Sequence, residues 1–521
     1  MTTPCVVVTD SSHASADDLK RTAQSILYSA LQPTHWIVAH TRLEHERVTR
    51  MRDLRRTGII VARDDIPLPD NAVVVFVRAG DELLPEALAT IVNAFDVAPT
   101  MNVAYGDSLC TPARRFEHDI EVRRPQWSPE RLRSHNYIGS LIATRLDVTT
   151  RAGGIALLAA AHEHDRALRL CEVAAPVRIS ELLYRCPTAR LMPETSVDAV
   201  REHCARTGIA ADISHDPRLG PVRVQRHIAT TKRISVIMPT RGTTGEVGGR
   251  AVVLGAHALQ TLRARSTYPT IEIVVVFDHD TPAEARTAIM AAAGAETRAV
   301  DYDKPFNFAD KVNLGALCST GEYLLFLNDD TEMVTPDALE TLAGLLEDPT
   351  VAMAGPMLLY EDGLIQSAGH LLNPVPYDLY RHRSPEHTGA QHLLRVQREV
   401  SGVIAAFALV RRSAFEDAGG LCIKFPSNYN DVDFSLKLQE LGYRVLWTPH
   451  ASVLHFESQT RSPLLKDFEV TTIGARWRDK LDDDPYSNPH LERYQSIWKQ
   501  NVIGQESVSV ALGPTAPIAS K

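Results

Sequence analysis

The sequence predicts an α/β protein of two domains in tandem, each built on a mostly parallel sheet covered by helices. Three observations predict it. Between residues 233 and 347, the runs ISVIMPT (234–240), IEIVVVF (271–277) and YLLFLN (323–328) are β-branched or wholly apolar, as strands buried on both faces are. The stretches between them, Ala251 to Arg265 and Thr281 to Ala293, carry helical patterns, and strands alternating with helices imply a doubly wound sheet. The first half then repeats the pattern. VVFVRAGDELLPEAL (74–88) lies over LLFLNDDTEMVTPDAL (324–339) at an offset of about 250 residues with one inserted residue, CVVVTDSS (5–12) parallels ISVIMPTR, and HWIVAH (35–40) parallels IEIVVVF. Any two α/β domains share such runs, but here order and spacing agree as well as composition, which favours duplication.

The expected boundaries are 1–225 for a first domain, 230–480 for a second and 481–521 for a C-terminal extension. The polar stretch from Arg201 to Lys232, with Gly208, Pro217, Gly220 and Pro221, reads as the junction. Beyond Lys480 the pattern weakens, and the last fifteen or so residues, rich in Ala, Pro and Ser, are expected to be disordered.

A chain of 521 residues is too long for one core, and 44% apolar with 23% charged residues is the balance of a globular protein. The net charge of −9 comes without a basic stripe, so nucleic acid is not an expected partner. Seven scattered cysteines without CxxC spacing argue against a disulfide framework or a zinc site. The longest apolar runs, Gly153 to Ala161 and Gly402 to Val410, fall short of the roughly 20 residues that span a bilayer. No signal peptide is expected. The expected location is cytoplasmic.

In a doubly wound sheet, ligands bind outside the carboxyl ends of the strands. Those ends carry Arg241, Asp278 and the cluster Asn328, Asp329, Asp330. The segments ISVIMPTR, VVVFD, FNFADKVNLGA, YLLFLNDDTE, YNDVDFSLKLQELGYRV and VLHFES occur in the order and rough spacing of family 2 glycosyltransferases, which the chain strongly resembles over about residues 230 to 460. The resemblance implies two Rossmann-like GT-A folds in tandem, the second catalytic, and inverting transfer of a sugar from a UDP- or dTDP-linked donor. The implied acceptor is a glycan or lipid-linked glycan of cell-envelope polysaccharide synthesis, through which the protein would sit peripherally on the inner face of the plasma membrane.

The resemblance also assigns roles. Asn328, Asp329 and Asp330 match the DXD motif, with Asn328 in place of the first Asp and Asp330 at the strongest metal position. His455, in VLHFES, matches a metal-coordinating histidine. A divalent ion, Mn2+ or Mg2+, neutralises a departing diphosphate, and imidazole favours Mn2+. Asp431 matches the catalytic base that takes the acceptor's proton, and Asp433 is an acceptor-side candidate. Pro239, Thr240 and Arg241 form the first nucleotide-facing loop, Asp278 matches the acid that binds base or ribose, Lys311 and Asn313 lie in a nucleotide-contacting segment, and Arg461 is placed to bind diphosphate. Taken alone, each residue has a plainer reading: helix caps for the acidic cluster, dipole-favoured acids for Asp431 and Asp433, a structural role for His455, and solvated surface positions for Lys311 and Arg461.

Where the second half has Asn328 and Asp330, the first has Arg78 and Gly80, and a cation repels the ion such a site should bind. The first half is therefore expected to be degenerate. WSPERLRSHNYIG (127–139) resembles an N-terminal module of larger bacterial family 2 proteins. Two other function classes stay open. PTRGTTGEVGGR (239–250) would serve a sugar nucleotidyltransferase if its glycines cradled a triphosphate, and a non-catalytic binding protein would need none of this acidic set.

Overall fold

Strands form where the sequence supplies apolar runs that two layers of helices can cover. The structure, a computed structural model, describes residues 3–10, 14–39, 60–62, 66–111, 118–187, 195–228, 232–456 and 465–498. The first half contributes β1 (Cys5–Asp10), β2 (His35–Ala39), β3 (Ile60–Ala62), β4 (Val73–Arg78), β5 (Glu82–Leu83), β6 (Val103–Thr111), β7 (Ile120–Val122), β8 (Ile142–Arg145) and β9 (Pro176–Pro187). A hairpin follows, β10 (Ala211–His215) with β11 (Val222–Arg226). The second half contributes β12 (Ile234–Thr240), β13 (Thr244–Val247), β14 (Arg250–Val253), β15 (Ile271–Asp278), β16 (Thr297–Tyr302), β17 (Tyr323–Leu327), β18 (Thr331–Met333), β19 (Val351–Leu359) and β20 (Ile365–Ser367). It ends with β21 (His370–Leu372), β22 (Pro376–Asp378), β23 (Arg398–Glu399), β24 (Phe407–Arg411) and β25 (Arg444–His455).

The first sheet runs β3-β2-β1-β4-β8-β6-β9-β5 with β7 beside β6, and the second runs β16-β15-β12-β17-β24-β19-β25-β18 with β20 beside β19. The senses agree at every step. Four parallel strands lead each sheet, an antiparallel strand follows (β8, β24), then a parallel pair (β6 with β9, β19 with β25), then an antiparallel edge (β5, β18). The repeat seen in the sequence is thus a repeat of strand order and direction.

Each sheet buries both faces. In β12, Val236 and Met238 pack with Leu259, Val275 and Leu342 on one side, while Ile237 packs with Phe326 and Phe434 on the other. The first sheet divides likewise, with Val7, Trp36 and Ile91 opposed to Val8, Phe76 and Leu168. The helix expected from Ala251 begins at Leu254, because Arg250–Val253 pairs with Thr244–Val247 as the hairpin β13–β14. That hairpin turns at Gly248 and Gly249, both at positive φ (57° and 76°), a backbone region that glycine enters without steric cost.

One sequence expectation needs correction. The stretch 201–232 is not a bare junction: it contains the end of the helix Val197–Thr207 and the hairpin β10–β11. Val222 and Val224 are buried in the core of the first half, and Arg226 is buried in an ion pair with Glu130 at 2.6 Å. Its polarity is misleading because the buried arginine is matched by a buried carboxylate. The extension from 481 also packs where it is described. Asp484 accepts from Ser401 Oγ (2.7 Å) and Leu372 N (2.8 Å), and Trp498 is buried. The expected disordered tail lies outside the described residues.

The halves are joined by buried polar contacts. Glu399 on β23 caps the short helix Pro129–Ser134, accepting from the Ser128 hydroxyl and from Glu130 N at 3.2 Å. Arg131 donates to Gln391 O at 3.0 Å. The WSPERLRSHNYIG segment, whose task the sequence does not disclose, therefore docks the first half on the second. Asn488 adds a second tie, its amide donating to Asp107 (3.0 Å) and to Arg124 O (2.8 Å). Asp107 is fully buried, pairs with Arg123 at 3.1 Å and accepts from Arg124 N. Asp107→Ala should cost about 2–3 kcal/mol, the scale of hydrogen bonds to a charged group, read as a lower melting temperature in scanning fluorimetry.

Candidate active site

The carboxyl ends of β12 and β17 and the start of the helix Asn430–Glu440 surround a cavity of about 430 Å³. Residues far apart in sequence meet there. Pro239, Thr240 and Arg241 come from the end of β12, Lys311 from the helix Phe308–Leu317, Asn328 to Asp330 from the turn after β17, His455 from the end of β25, and Asp431 from the first turn of the helix Asn430–Glu440.

Asp330 and His455 meet because β18 pairs antiparallel with β25, in register at Thr331 and His455. Asp330 Oδ1 lies 3.1 Å from His455 Nε2. The other ring nitrogen, Nδ1, is 2.7 Å from Gln366 Oε1. An amide oxygen only accepts, so Nδ1 carries a proton, which leaves Nε2 as the nitrogen available to a metal, the arrangement that an outer partner gives a metal-ligating imidazole. The Asn328 amide stands 3.4 Å from the same Nε2. Gln366 carries no signal in the sequence; only the strand β20 beside β19 brings it here.

Asp329 faces the β12 loop and accepts from the Thr240 hydroxyl at 2.6 Å. Burial, reinforced by the charge of Asp330, pushes its carboxyl up to about 7. Lys311 is buried, donates to Thr240 O (3.1 Å) and pairs with Asp278 (3.0 Å). Burial holds its ammonium below the ordinary value despite the attraction of Asp278. Asp278 also faces Arg241 at 3.4 Å, so it braces the loop from behind and does not line the cavity. Phe306 and Phe308 line the cavity, a pair of aromatic faces that the motif reading passed over although both lie in or next to FNFADKVNLGA.

Asp431 occupies the second position of its helix, after Tyr429 turns the chain through a left-handed conformation (φ 60°). Its Oδ2 accepts from Ala405 N at 3.3 Å and its Oδ1 from Val432 N at 2.9 Å, so the carboxylate is held while remaining part of the cavity wall.

Other residues singled out in the sequence go elsewhere. The Asn313 amide both donates to Leu421 O (2.9 Å) and accepts from Leu421 N (2.8 Å), which ties its helix to a loop rather than to a ligand. Asp433 is fully buried, accepts from Trp477 Nε1 at 2.8 Å and pairs with Arg476 at 3.1 Å, anchoring the helix Asp467–Asp482. Arg461 lies outside the described residues. The glycine-rich stretch after β12 is the β13–β14 hairpin, whose backbone pairs with itself and is not a phosphate cradle.

In the first half, Arg78, Ala79 and Gly80 follow β4 as Asn328, Asp329 and Asp330 follow β17. Arg78 pairs with Glu163 at 3.2 Å. Continuing the β5–β9 register from Leu83 and Tyr184 puts Cys186 where β25 has His455, and its sulfur lies 3.0 Å from that of Cys110. His164 is buried against Leu132 O at 2.6 Å, and burial pulls its imidazole down to about 4.

Residues 235–419 match the family model of glycosyl transferase family 2. The O-antigen biosynthesis protein RfbC of Myxococcus xanthus is 29% identical over 436 residues, covering 80% of this chain and 33% of RfbC. The uncharacterized protein y4gI of Sinorhizobium fredii is 27% identical over 464 residues, covering 82% of this chain and 49% of y4gI. The chain spans about a third and about half the length of these two curated relatives. Among solved structures, GalNAc-T7 with UDP, GalNAc and Mn2+ aligns at a TM-score of 0.38 and 15% identity, over 52% of each chain. The mannosyltransferase PcManGT from Pyrobaculum calidifontis, in complex with GDP-Man and Mn2+, aligns at 0.32 and 16% identity, over 50% of this chain and 70% of its own. The matched family segment runs from β12 past β24 and contains the β12 loop and the Asn328 to Asp330 turn, so it is this part of the second half that is similar to glycosyl transferase family 2.

Proposed function

We propose that the second half is an inverting glycosyltransferase domain of GT-A type, moving a sugar from a UDP- or dTDP-linked donor to a hydroxyl of a glycan or lipid-linked glycan. The observation that carries this reading is one cavity lined by the Asp330–His455 pair, the loop Pro239 to Arg241 with Lys311 behind it, and Asp431. The acceptor oxygen attacks the anomeric carbon while the bond from that carbon to the diphosphate oxygen breaks, its electron pair leaving with the diphosphate. The acceptor proton passes to Asp431. One base suffices here, where a glycosidase needs two carboxylates.

Asp330 and His455 would hold a divalent ion, and their oxygen and nitrogen donors suit Mn2+, with Mg2+ the other candidate. Among the described residues no three His, Cys, Asp or Glu side chains gather as a metal site by themselves, so the remaining ligands would be diphosphate oxygens and water. Such an ion would neutralise charge developing on the leaving diphosphate. Asn328 and Asp329 complete the floor, and Thr240, Arg241 and Asp278 shape the nucleotide side. Phe306 and Phe308 offer stacking faces for the base.

We further read the first sheet as a duplicated, non-catalytic copy that positions the second half, because the positions matching Asn328, Asp330 and His455 hold Arg78, Gly80 and Cys186. The relative's name, an O-antigen biosynthesis protein, supports a role in cell-surface polysaccharide assembly. The protein would then meet the membrane through its acceptor, and among the described residues no helix is long and apolar enough to cross it.

Incubation with Mn2+ and a panel of UDP- and dTDP-sugars tests this without an acceptor. At least one donor should bind and hydrolyse slowly with release of the nucleoside diphosphate. Asp330→Ala should weaken metal-dependent donor binding by about tenfold or more, the loss of a charge-assisted contact. Release of pyrophosphate instead would mark nucleotidyl transfer, and donor binding by Asp330→Ala that keeps its metal dependence would remove that residue from the ligand set.

A further inference from the structure

The hairpin β21–β22 places His370 directly opposite Asp378, and both line the cavity that contains Asp431. His370 Nε2 faces Asp378 Oδ1 across 3.7 Å, too far for a direct hydrogen bond. Asp378 Oδ1, which faces this gap, has no hydrogen-bond partner, and His370 is only 7% exposed; the unpartnered Nδ1 of His370 faces Gly402 on the other side of the ring. Buried polar atoms are rarely left so. The gap suits a hydroxyl group, which accepts from an imidazole N–H and donates to a carboxylate at once.

The pair is tied to the reaction centre. His370 N donates to Gly402 O at 2.7 Å, a few residues before Ala405, whose N–H holds Asp431. Burial raises the Asp378 carboxyl against the opposing effects of His370, Ser367 and Arg381, and the charge of Asp431 adds a smaller rise.

We propose that His370 and Asp378 form a hydroxyl-binding subsite for the acceptor sugar, holding one hydroxyl so that a neighbouring hydroxyl meets Asp431. This rests on the reading of the cavity as a glycosyltransferase site. Neither group takes part in bond making; the pair selects a polyhydroxylated acceptor and sets its orientation. A site that hydrogen-bonds a substrate hydroxyl also rejects analogues that lack it, because its buried groups are then unpaired.

The test uses the full chain with Mn2+, the nucleoside diphosphate UDP or dTDP, and the methyl glycosides of glucose, galactose, mannose and rhamnose, followed by ligand-detected NMR titration. At least one glycoside should bind. Asp378→Asn and His370→Gln should each weaken it about tenfold, the scale of one buried hydrogen bond, with nucleotide affinity and melting temperature unchanged. If either variant fails to fold, monodeoxy analogues of the bound glycoside, titrated into the unaltered protein, should show the same tenfold loss at one hydroxyl position. Absence of binding by all four glycosides overturns the subsite, as does equal affinity in both variants or in all deoxy analogues. Donor hydrolysis measured alongside reads the parent proposal separately: glycoside binding without donor turnover removes the glycosyltransferase reading and leaves the sugar subsite standing.

Discussion

Asp431→Asn should lower sugar transfer by about a hundredfold to ten-thousandfold, the range that a positioned general base contributes, while donor affinity stays within about twofold. The asparagine keeps the shape of the carboxylate but only one acceptor oxygen, which can hold the N–H of Val432 or that of Ala405 and not both; the Asp433 N–H to Tyr429 O bond of the helix start does not involve this side chain and remains. What it loses is the capacity to take a proton. Asp431 also makes none of the contacts that brace the β12 loop or the Asp330–His455 pair, so nucleotide and metal binding should not register the change. Transfer rates and donor titration on the same preparation check both parts. Turnover at the wild-type level would end the assignment of Asp431 as base.

Glu130→Ala should destabilise the protein by about 3–5 kcal/mol, the cost of stripping one partner from a buried ion pair. Glu130 has no exposed surface; it pairs with Arg226 at 2.6 Å and Arg133 at 2.9 Å. Its removal leaves two guanidinium groups facing each other where the first half meets the second. Burial alone would raise the Glu130 carboxyl, but Arg226, Arg133 and Arg444 more than reverse this, and the net shift is downward. A carboxylate with a depressed folded pKa contributes stability that is present above its unfolded value, about 4.3, and is lost as pH falls through the folded value. Acidification below about pH 4 should therefore destabilise the wild type more steeply than the variant. Urea unfolding at pH 7 and pH 3.5 measures both effects. A variant within about 0.5 kcal/mol of wild type at pH 7 would show that the network contributes little.

The strands could be read from the sequence because their evidence is local. ISVIMPT is β12 to the residue and CVVVTD is β1, since a strand covered on both faces has to be apolar at consecutive positions. The site was partly readable for another reason: the motifs around Asp330, Asp431 and His455 each survive as a short segment, and the fold brings those segments to one cavity. Side chains whose partners lie far along the chain were not readable. Asn313 looks like a ligand contact until Leu421, 108 residues on, takes both ends of its amide. Asp433 looks like an acceptor-side acid until Trp477, 44 residues on, claims it. The hairpin β10–β11 hid for a similar reason, because Arg226 reads as solvent-facing unless Glu130 is known to lie beside it.

The tie from Asn488 to Asp107 spans 381 positions, and that distance sets an order of events during synthesis. Domains fold as units while the chain is made, at about 5–20 residues per second. The first sheet, complete by Pro187, can thus form well before Asn488 has been added, which at those rates takes roughly 15 to 60 seconds more. During that interval Asp107 is without its amide partner, and for the earlier part of it, until residue 399 is made, the helix Pro129–Ser134 is without Glu399. The polar face that later docks on the second half is then open to water, where charged and hydroxyl groups are well solvated, rather than presenting an apolar surface prone to aggregation. A docking face built of carboxylates, guanidinium groups and amides lets the half that is made first wait for the half that is made last.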